Sequence, residues 1–159
     1  MDMFERRKNA PMWWFNKSSD FHASAGALWL SMDNSMAAHY VAKLNLGQGF
    51  RMSVAVWPVF MMLCGMSLEL IYKAISVAKG DQVKTHHRLV DLAQAAGIKI
   101  DNHAKANLKE LTEFIIWAGK YPVPKDNQKE SFFKKSTQYL SWDSYNALWE
   151  EAVDNFLVV

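Results

Sequence analysis

The sequence contains a single cysteine, Cys64, which lies within an apolar stretch. One cysteine excludes an intrachain disulfide, and these surroundings indicate a buried, unreactive thiol. Only four prolines and seven glycines interrupt the 159 residues, so long stretches lack residues that break helices. No spacing recurs that would indicate a repeat protein. The cysteine usage is compatible with a reducing compartment, and we expect a cytoplasmic protein.

The chain also has little excess charge. Its formal net charge of +2 is too small to indicate a dedicated nucleic-acid-binding protein by itself. Residues 1–8 are charged and no apolar segment of the kind found in secretory signals follows them, so we expect no export. Residues 52–68 carry no charge, but Pro58, Gly65 and two serines interrupt this run. A buried helix of a bundle explains it better than a membrane span does.

Helical periodicity dominates what the sequence does contain. The length and the 50% hydrophobic content suffice for one domain with its own core. We therefore predict an all-α fold, an up-and-down bundle of four to five helices. Residues 1–159 form one domain in this prediction, with residues 1–18 as an N-terminal extension.

Capping residues and glycines predict where the helices begin and end. The first helix is predicted over residues 19–44 and the second over residues 51–78, where Gly80 stops it. Thr85 is expected to cap a short third helix, which Gly97 ends. A fourth helix is predicted between Asp101 and Pro122, and a last one over residues 141–155. Within residues 123–140, Pro124, Asp126 and Asn127 favour a loop, while residues 132–135 could form a helical turn.

The apolar spacing of the fourth helix predicts which of its faces is buried. Residues at intervals of three and four fall on one side of a helix, and here they are all apolar. The expected buried face consists of Ala104, Leu108, Leu111, Ile115 and Ala118. In the last helix the same spacing predicts an inner face of Leu148, Ala152 and Phe156.

Several polar residues lie at helical spacing or at helix boundaries. Glu69 and Lys73 are four residues apart, in the order that favours an ion pair within a helix. His86 can hydrogen-bond the backbone or a facing carboxylate, which would hold two helices in register. His87 and Asp91 share a face as two metal ligands could, but no third ligand follows in a recognisable pattern. We predict neither a metal site nor a cofactor.

Three sequence segments together resemble the HEPN domain, a helical bundle named for its occurrence in higher eukaryotes and prokaryotes and for nucleotide binding. These segments are Glu69-x-x-x-Lys73, Thr85-His86-x-x-Leu89-x-x-Leu92 and Lys120-Tyr121-Pro122. The resemblance covers residues 52–156. It implies a bundle of four or five helices that dimerises, and a bacterial toxin–antitoxin or defence system in which a small nucleotidyltransferase is the partner protein.

The chain departs from the ribonucleases of that family. Those members carry an arginine followed, after four to six intervening residues, by a histidine, and no arginine here has a histidine at that distance. Where relatives have arginine before the Tyr-Pro pair, this chain has Lys120. Lysine keeps the positive charge but cannot make the bidentate hydrogen bonds of a guanidinium to phosphate. The sequence therefore favours a protein without catalytic activity.

Aromatic and basic residues form two further clusters. Residues 120–135 interleave five lysines with three rings, and lysines and rings contact phosphates and bases respectively in proteins that bind nucleic acid. Solvated lysines above buried phenylalanines would give the same pattern. The second cluster is Trp13-Trp14-Phe15, which we expect to pack across the bundle or into a second subunit because exposing it would be costly.

Three functions remain open from the sequence. The first is a non-catalytic HEPN-like module that binds a phosphate group of a nucleotide or RNA through Lys73, His86, Arg88, Lys120 and Tyr121. The second is a helical homodimer or antitoxin-like interaction protein that has no small-molecule ligand. The third is an atypical ribonuclease in which His86 or His87 acts with Arg88.

Overall fold

A computed structural model of the chain describes residues 2–124 and 140–159. Within these ranges all regular structure is helical and no strand is present, so the all-α prediction is confirmed. The helices are α1 Met3–Lys8, α2 Pro11–Ser31, α3 Asn34–Lys43, α4 Met52–Ala55, α5 Trp57–Ala78, α6 Leu89–Ala95, α7 Asn102–Glu113 and α8 Trp142–Leu157. A π-helical turn, Phe114–Ala118, continues α7.

Helix α5 forms the centre of the bundle. Its sequence is apolar on nearly all sides, and it packs against α2, α8, α6, α7 and the π-helical turn. By length and composition it could also cross a membrane, but 72% of its most apolar window is buried inside the protein. Because the core helix of a bundle meets the same criteria, this is weak evidence for a membrane span. Gly80, with φ of 82°, ends the helix as predicted.

Two glycines allow α5 and the π-helical turn to approach closely. A Cβ atom on Gly65 would lie 2.8 Å from Ile115 Cγ1, and one on Gly119 would lie 2.5 Å from Met62 Cβ. Neither position has room for a side chain. The predicted face of the fourth helix is indeed turned inward here: Leu108, Leu111, Ile115 and Ala118 are buried, and Ala104 is half-buried.

The prediction for the N-terminal third was wrong in two respects. The expected helix over residues 19–44 is two helices, because Asp33 accepts a hydrogen bond from the Ser35 amide and so begins α3. Helix α2 also begins at Pro11, eight residues before the predicted start, and the short helix α1 precedes it. Ser18 lies inside α2 and is fully buried.

Other helix boundaries agree with the sequence in part. Pro58 lies in the first turn of α5, and the short helix α4 precedes it, so residues 51–78 are not one continuous helix. Arg88, and not Thr85, precedes the first residue of α6. The predicted caps Asp101 and Ser141 are confirmed, with amide contacts of 2.7 and 3.1 Å. Helix α8 extends to Leu157, two residues beyond the predicted end.

Candidate functional site

A groove of about 760 Å³ lies between the N-terminal helices and the end of α5. Helix α1 and the first turns of α2 form one side, and the segment that follows α5 forms the other. We call it the N-terminal groove. Its lining residues are Met3, Phe4, Arg7, Lys8, Trp13, Trp14, Lys17, Leu70, Lys73, Val83, Lys84 and Thr85.

Every charged residue that lines the N-terminal groove is basic. Lys8 is 3.7 Å from Glu5, and Lys17 is 3.5 Å from Asp20, so exposed carboxylates beside the groove partly offset the charge of these two lysines. Within the described residues, Arg7 and Lys84 have no acidic partner. The groove therefore carries a local positive charge that the small net charge of the chain does not indicate.

Aromatic side chains lie among these cations. Phe4 and Trp13 are 67% and 55% exposed, which is unusual for side chains of this size. The Arg7 guanidinium lies over the Trp13 ring, 4.7 Å from its centroid. Trp14 is half-buried, and its Nε1 donates a hydrogen bond to the Lys8 carbonyl oxygen at 2.9 Å. These two contacts fasten α1 to the start of α2.

The Lys73 side chain reaches the N-terminal groove from a buried ion pair. Its Nζ donates to Glu69 Oε1 at 2.6 Å, and both side chains are less than 10% exposed. His87 Nδ1 lies 2.9 Å from Glu69 Oε2, so one carboxylate contacts two basic groups. The expected pair of Glu69 and Lys73 is present, while the histidine that meets the carboxylate is His87 rather than His86.

The other residues of the predicted site lie apart from the N-terminal groove. His86 accepts a hydrogen bond from the Arg88 amide at 3.3 Å through its Nδ1. Arg88 is paired with Asp91 at 2.7 Å and lines a separate groove of about 610 Å³, whose charges are of both signs. Lys120 and Tyr121 are exposed and line neither groove. Of the five residues, only Lys73 thus reaches the N-terminal groove.

Several of the groove-lining residues were not found by sequence reasoning. Phe4, Arg7, Lys8 and Lys17 belong to the segment predicted as an N-terminal extension, and none of them was predicted to be a site residue. The available signal was the basic run Arg6-Arg7-Lys8, which four residues separate from two adjacent tryptophans. Six of the eight lysines and rings in the cluster at residues 120–135 lie outside the described residues, and they are lysines 125, 129, 134 and 135 and phenylalanines 132 and 133.

The predicted cluster Trp13-Trp14-Phe15 is divided between the surface and the bundle. Phe15 stacks on Phe156 of α8 with ring centroids 4.7 Å apart, which confirms packing across the bundle for this ring. Trp14 is held by the backbone of α1, and Trp13 faces the N-terminal groove. Trp13 is therefore the most exposed ring of the three.

A second polar network lies in the core and has a structural role. Ser18 Oγ donates to the Ser67 carbonyl oxygen at 2.8 Å, and Ser67 Oγ donates to the Ser18 carbonyl oxygen at 2.9 Å. These two hydrogen bonds join α2 to α5. His22 Nδ1 lies 3.0 Å from the Tyr145 hydroxyl, and its ring stacks on Trp149. Burial lowers the pKa of His22, because the charged imidazolium loses solvation.

The described residues include no group of three or more His, Cys, Asp or Glu side chains that could hold a metal ion. Burial raises the pKa of Cys64 well above its usual value, so its thiol is not activated as a nucleophile. The chemistry available in the N-terminal groove is therefore that of cations and flat rings.

No protein-family model, curated protein or solved structure was found to match this chain. The resemblance to the HEPN domain accordingly stays a hypothesis, and the N-terminal groove has to be interpreted from its own residues.

Proposed function

We propose that this protein is a non-catalytic, HEPN-like module that binds a phosphate group of a nucleotide or RNA in the N-terminal groove. The observation that carries the proposal is the one-sided charge of the groove, where five basic side chains and no acidic one line a single concave surface. Phosphate oxygens are the acceptors that arginine and lysine contact in nucleic-acid complexes. The proposal keeps Lys73 from the predicted site and adds Arg7, Lys8, Lys17 and Lys84.

The basic residues are suited to different tasks. Arg7 and Lys84 have no acidic partner in the described part of the chain, so they can contact phosphate without breaking an ion pair. Lys73 is already paired with Glu69 and contributes little net charge. We therefore assign the main anion contacts to Arg7 and Lys84 and a positioning role to Lys73.

We expect no catalysis in this proposal, because neither His86 nor His87 lines the groove that Arg88 lines. His87 contacts Glu69, whereas Arg88 contacts Asp91 in a different groove. An atypical ribonuclease would need a histidine and an arginine at one phosphate. Incubation of concentrated, nuclease-free protein with labelled RNA checks this, and we expect the RNA to stay intact.

The experiment that tests phosphate binding is a titration of fluorescently labelled single-stranded RNA at about 50 and 200 mM salt, read by anisotropy. We compare Lys84→Ala with Lys43→Ala, a matched removal of one exposed lysine at the end of α3 and outside the N-terminal groove. Lys84→Ala should weaken binding about two- to fivefold and lower the salt slope by about 0.7 to 1. Lys43→Ala should leave both unchanged.

Four further variants test whether the ligand binds at the surface predicted from the sequence. They are Lys120→Ala, His86→Ala, Arg88→Ala and Tyr121→Ala. If these variants weaken binding while Lys84→Ala does not, the ligand occupies the surface predicted from the sequence and not the N-terminal groove. If the native protein binds neither RNA nor a nucleotide at the lower salt concentration, the proposed function is wrong.

A second candidate function is a homodimeric or antitoxin-like interaction protein, and one observation favours it. Between Asn34 and Leu68 only Lys43 and Arg51 are charged, and apolar residues in and beside this stretch stay exposed. They are Leu30, Met36, Leu44, Phe50, Val54 and Val59, on α2 to α5 and their connections. Charge-poor apolar surfaces are typical of the centres of interfaces.

The mass in solution tests this candidate. Analytical ultracentrifugation of the native protein and of Val54→Asp at micromolar concentration should show a dimer that the substitution weakens. A monomer at all concentrations would contradict the homodimer. In the toxin–antitoxin form of this proposal the protein is a cytoplasmic partner of a nucleotidyltransferase-type protein, and co-expression with such a protein checks that pairing.

A further inference from the structure

The two most exposed rings of the N-terminal groove indicate which form of ligand the groove binds. This inference rests on the proposed function. Phe4 is 67% and Trp13 55% exposed. The other tryptophans of the described residues are half-buried or buried. Large rings exposed together with cations in one concave surface are typical of a site that another molecule covers.

The Trp13 ring is held in place without its ligand. The Arg7 guanidinium lies 4.7 Å from the ring centroid, within the range of a cation–π contact. The neighbouring Trp14 is fixed by the hydrogen bond from its Nε1 to the Lys8 carbonyl oxygen. A ring whose orientation is already restricted loses less entropy when a flat group stacks on it.

Only some anionic ligands can use these rings. In duplex RNA the base faces are already stacked on one another, and the outer surface offers mainly phosphates and sugars. Inorganic polyphosphate offers negative charge without rings. A single strand offers both base faces and phosphates, and stacking on a protein ring contributes about 1 to 3 kcal/mol per base.

We propose that the N-terminal groove selects single-stranded RNA, with bases stacked on Trp13 and Phe4 and the intervening phosphates against Arg7 and Lys84. The cations supply affinity that depends on salt, and the rings supply the preference for unpaired bases. The selection does not depend on base identity, because every base has a flat face.

The test compares four labelled probes on the native protein at one salt concentration: a single-stranded RNA, the same strand in a blunt duplex, inorganic polyphosphate, and a glutamate-rich peptide containing phenylalanine. We expect the single strand to bind at least about fivefold more tightly than each of the other three probes. This ratio corresponds to one stacked base that contributes about 1 kcal/mol, the low end of the range for stacking on a protein ring.

Substitutions then separate the rings from the charges. Trp13→Ala should weaken single-strand binding about 5- to 100-fold and leave polyphosphate binding unchanged, whereas Trp13→Phe should retain most of the affinity because it keeps a ring. Lys84→Ala should weaken all the phosphate-containing probes. Leu157→Ala is the matched control, since Leu157 is 71% exposed and lies outside both the groove and the exposed apolar patch. Phe4→Ala provides a second ring variant, and thermal unfolding verifies that each variant folds.

The outcomes distinguish this inference from the proposed function. Equal binding of single strand, duplex and polyphosphate, or an equal loss for all three in Trp13→Ala, would overturn stacking and leave phosphate binding in place. Binding of the glutamate-rich peptide as tight as that of the RNA would overturn the RNA inference in favour of an acidic protein partner. No binding of any phosphate-containing probe would overturn the proposed function, and the inference with it.

Discussion

Two buried tyrosines give a test of the hydrogen bonding in the core. Tyr72 and Tyr145 are both fully buried, and burial raises the pKa of each phenol, so each hydroxyl is protonated and can donate. The Tyr145 hydroxyl meets His22 Nδ1 at 3.0 Å. Among the described residues, the Tyr72 hydroxyl is the buried side-chain polar atom for which no hydrogen-bond partner is present.

The same substitution should have opposite effects at the two positions. An unpaired buried hydroxyl costs about 1 to 3 kcal/mol, and Tyr72→Phe removes it at the expense of one lost packing atom. We expect a gain in unfolding free energy of about 1 kcal/mol, which raises Tm by about 2 to 4 °C in a domain of this size. Tyr145→Phe leaves His22 without its partner and should cost about 1 to 2 kcal/mol.

The assay is urea unfolding followed by circular dichroism, with Tm from calorimetry as a second measure. Equal m-values for the native protein and the two variants would show that the midpoints report stability. The reasoning is refuted if Tyr72→Phe destabilises the protein as much as Tyr145→Phe does, because the Tyr72 hydroxyl would then have a partner such as a buried water.

Three further predictions concern the core and the buried ion pair. Gly65→Ala should destabilise the protein by about 1 to 3 kcal/mol, because the new methyl group would press on Ile115; an unchanged Tm would contradict the close helix approach. The pKa of His22 is lowered in the folded state, so as the pH falls the unfolded state binds a proton at this histidine before the folded state does. The free energy of unfolding should therefore decrease between about pH 7 and pH 5. His22→Gln should make that decrease smaller, as measured by urea unfolding at the two pH values. Glu69→Gln leaves Lys73 buried without its carboxylate, so we expect the free energy of unfolding, measured with urea, to decrease by about 3 to 5 kcal/mol. A decrease below about 1 kcal/mol would indicate that water already screens the pair.

Local chemistry explains which predictions from sequence succeeded. Asp101 and Ser141 cap their helices through contacts within three residues, and Gly80 and Gly97 take the positive φ values that end α5 and α6. Such features depend on neighbours along the chain, so they can be identified from the sequence. Asp33 has the same capping chemistry, but apolar residues at helical spacing before Ser31 and after Ser35 predicted one continuous helix across it.

The sequence by itself determined the helical class, several helix ends and the buried face of α7, because these follow from short-range spacing and capping. The tertiary structure decided which polar groups meet. It placed His87 instead of His86 against Glu69, and it joined residues 3–17 to residues 70–85 in one basic groove. The physical reason is that charge and rings far apart in the chain act together only after α2 has packed against α5, and no spacing along the sequence records that distance.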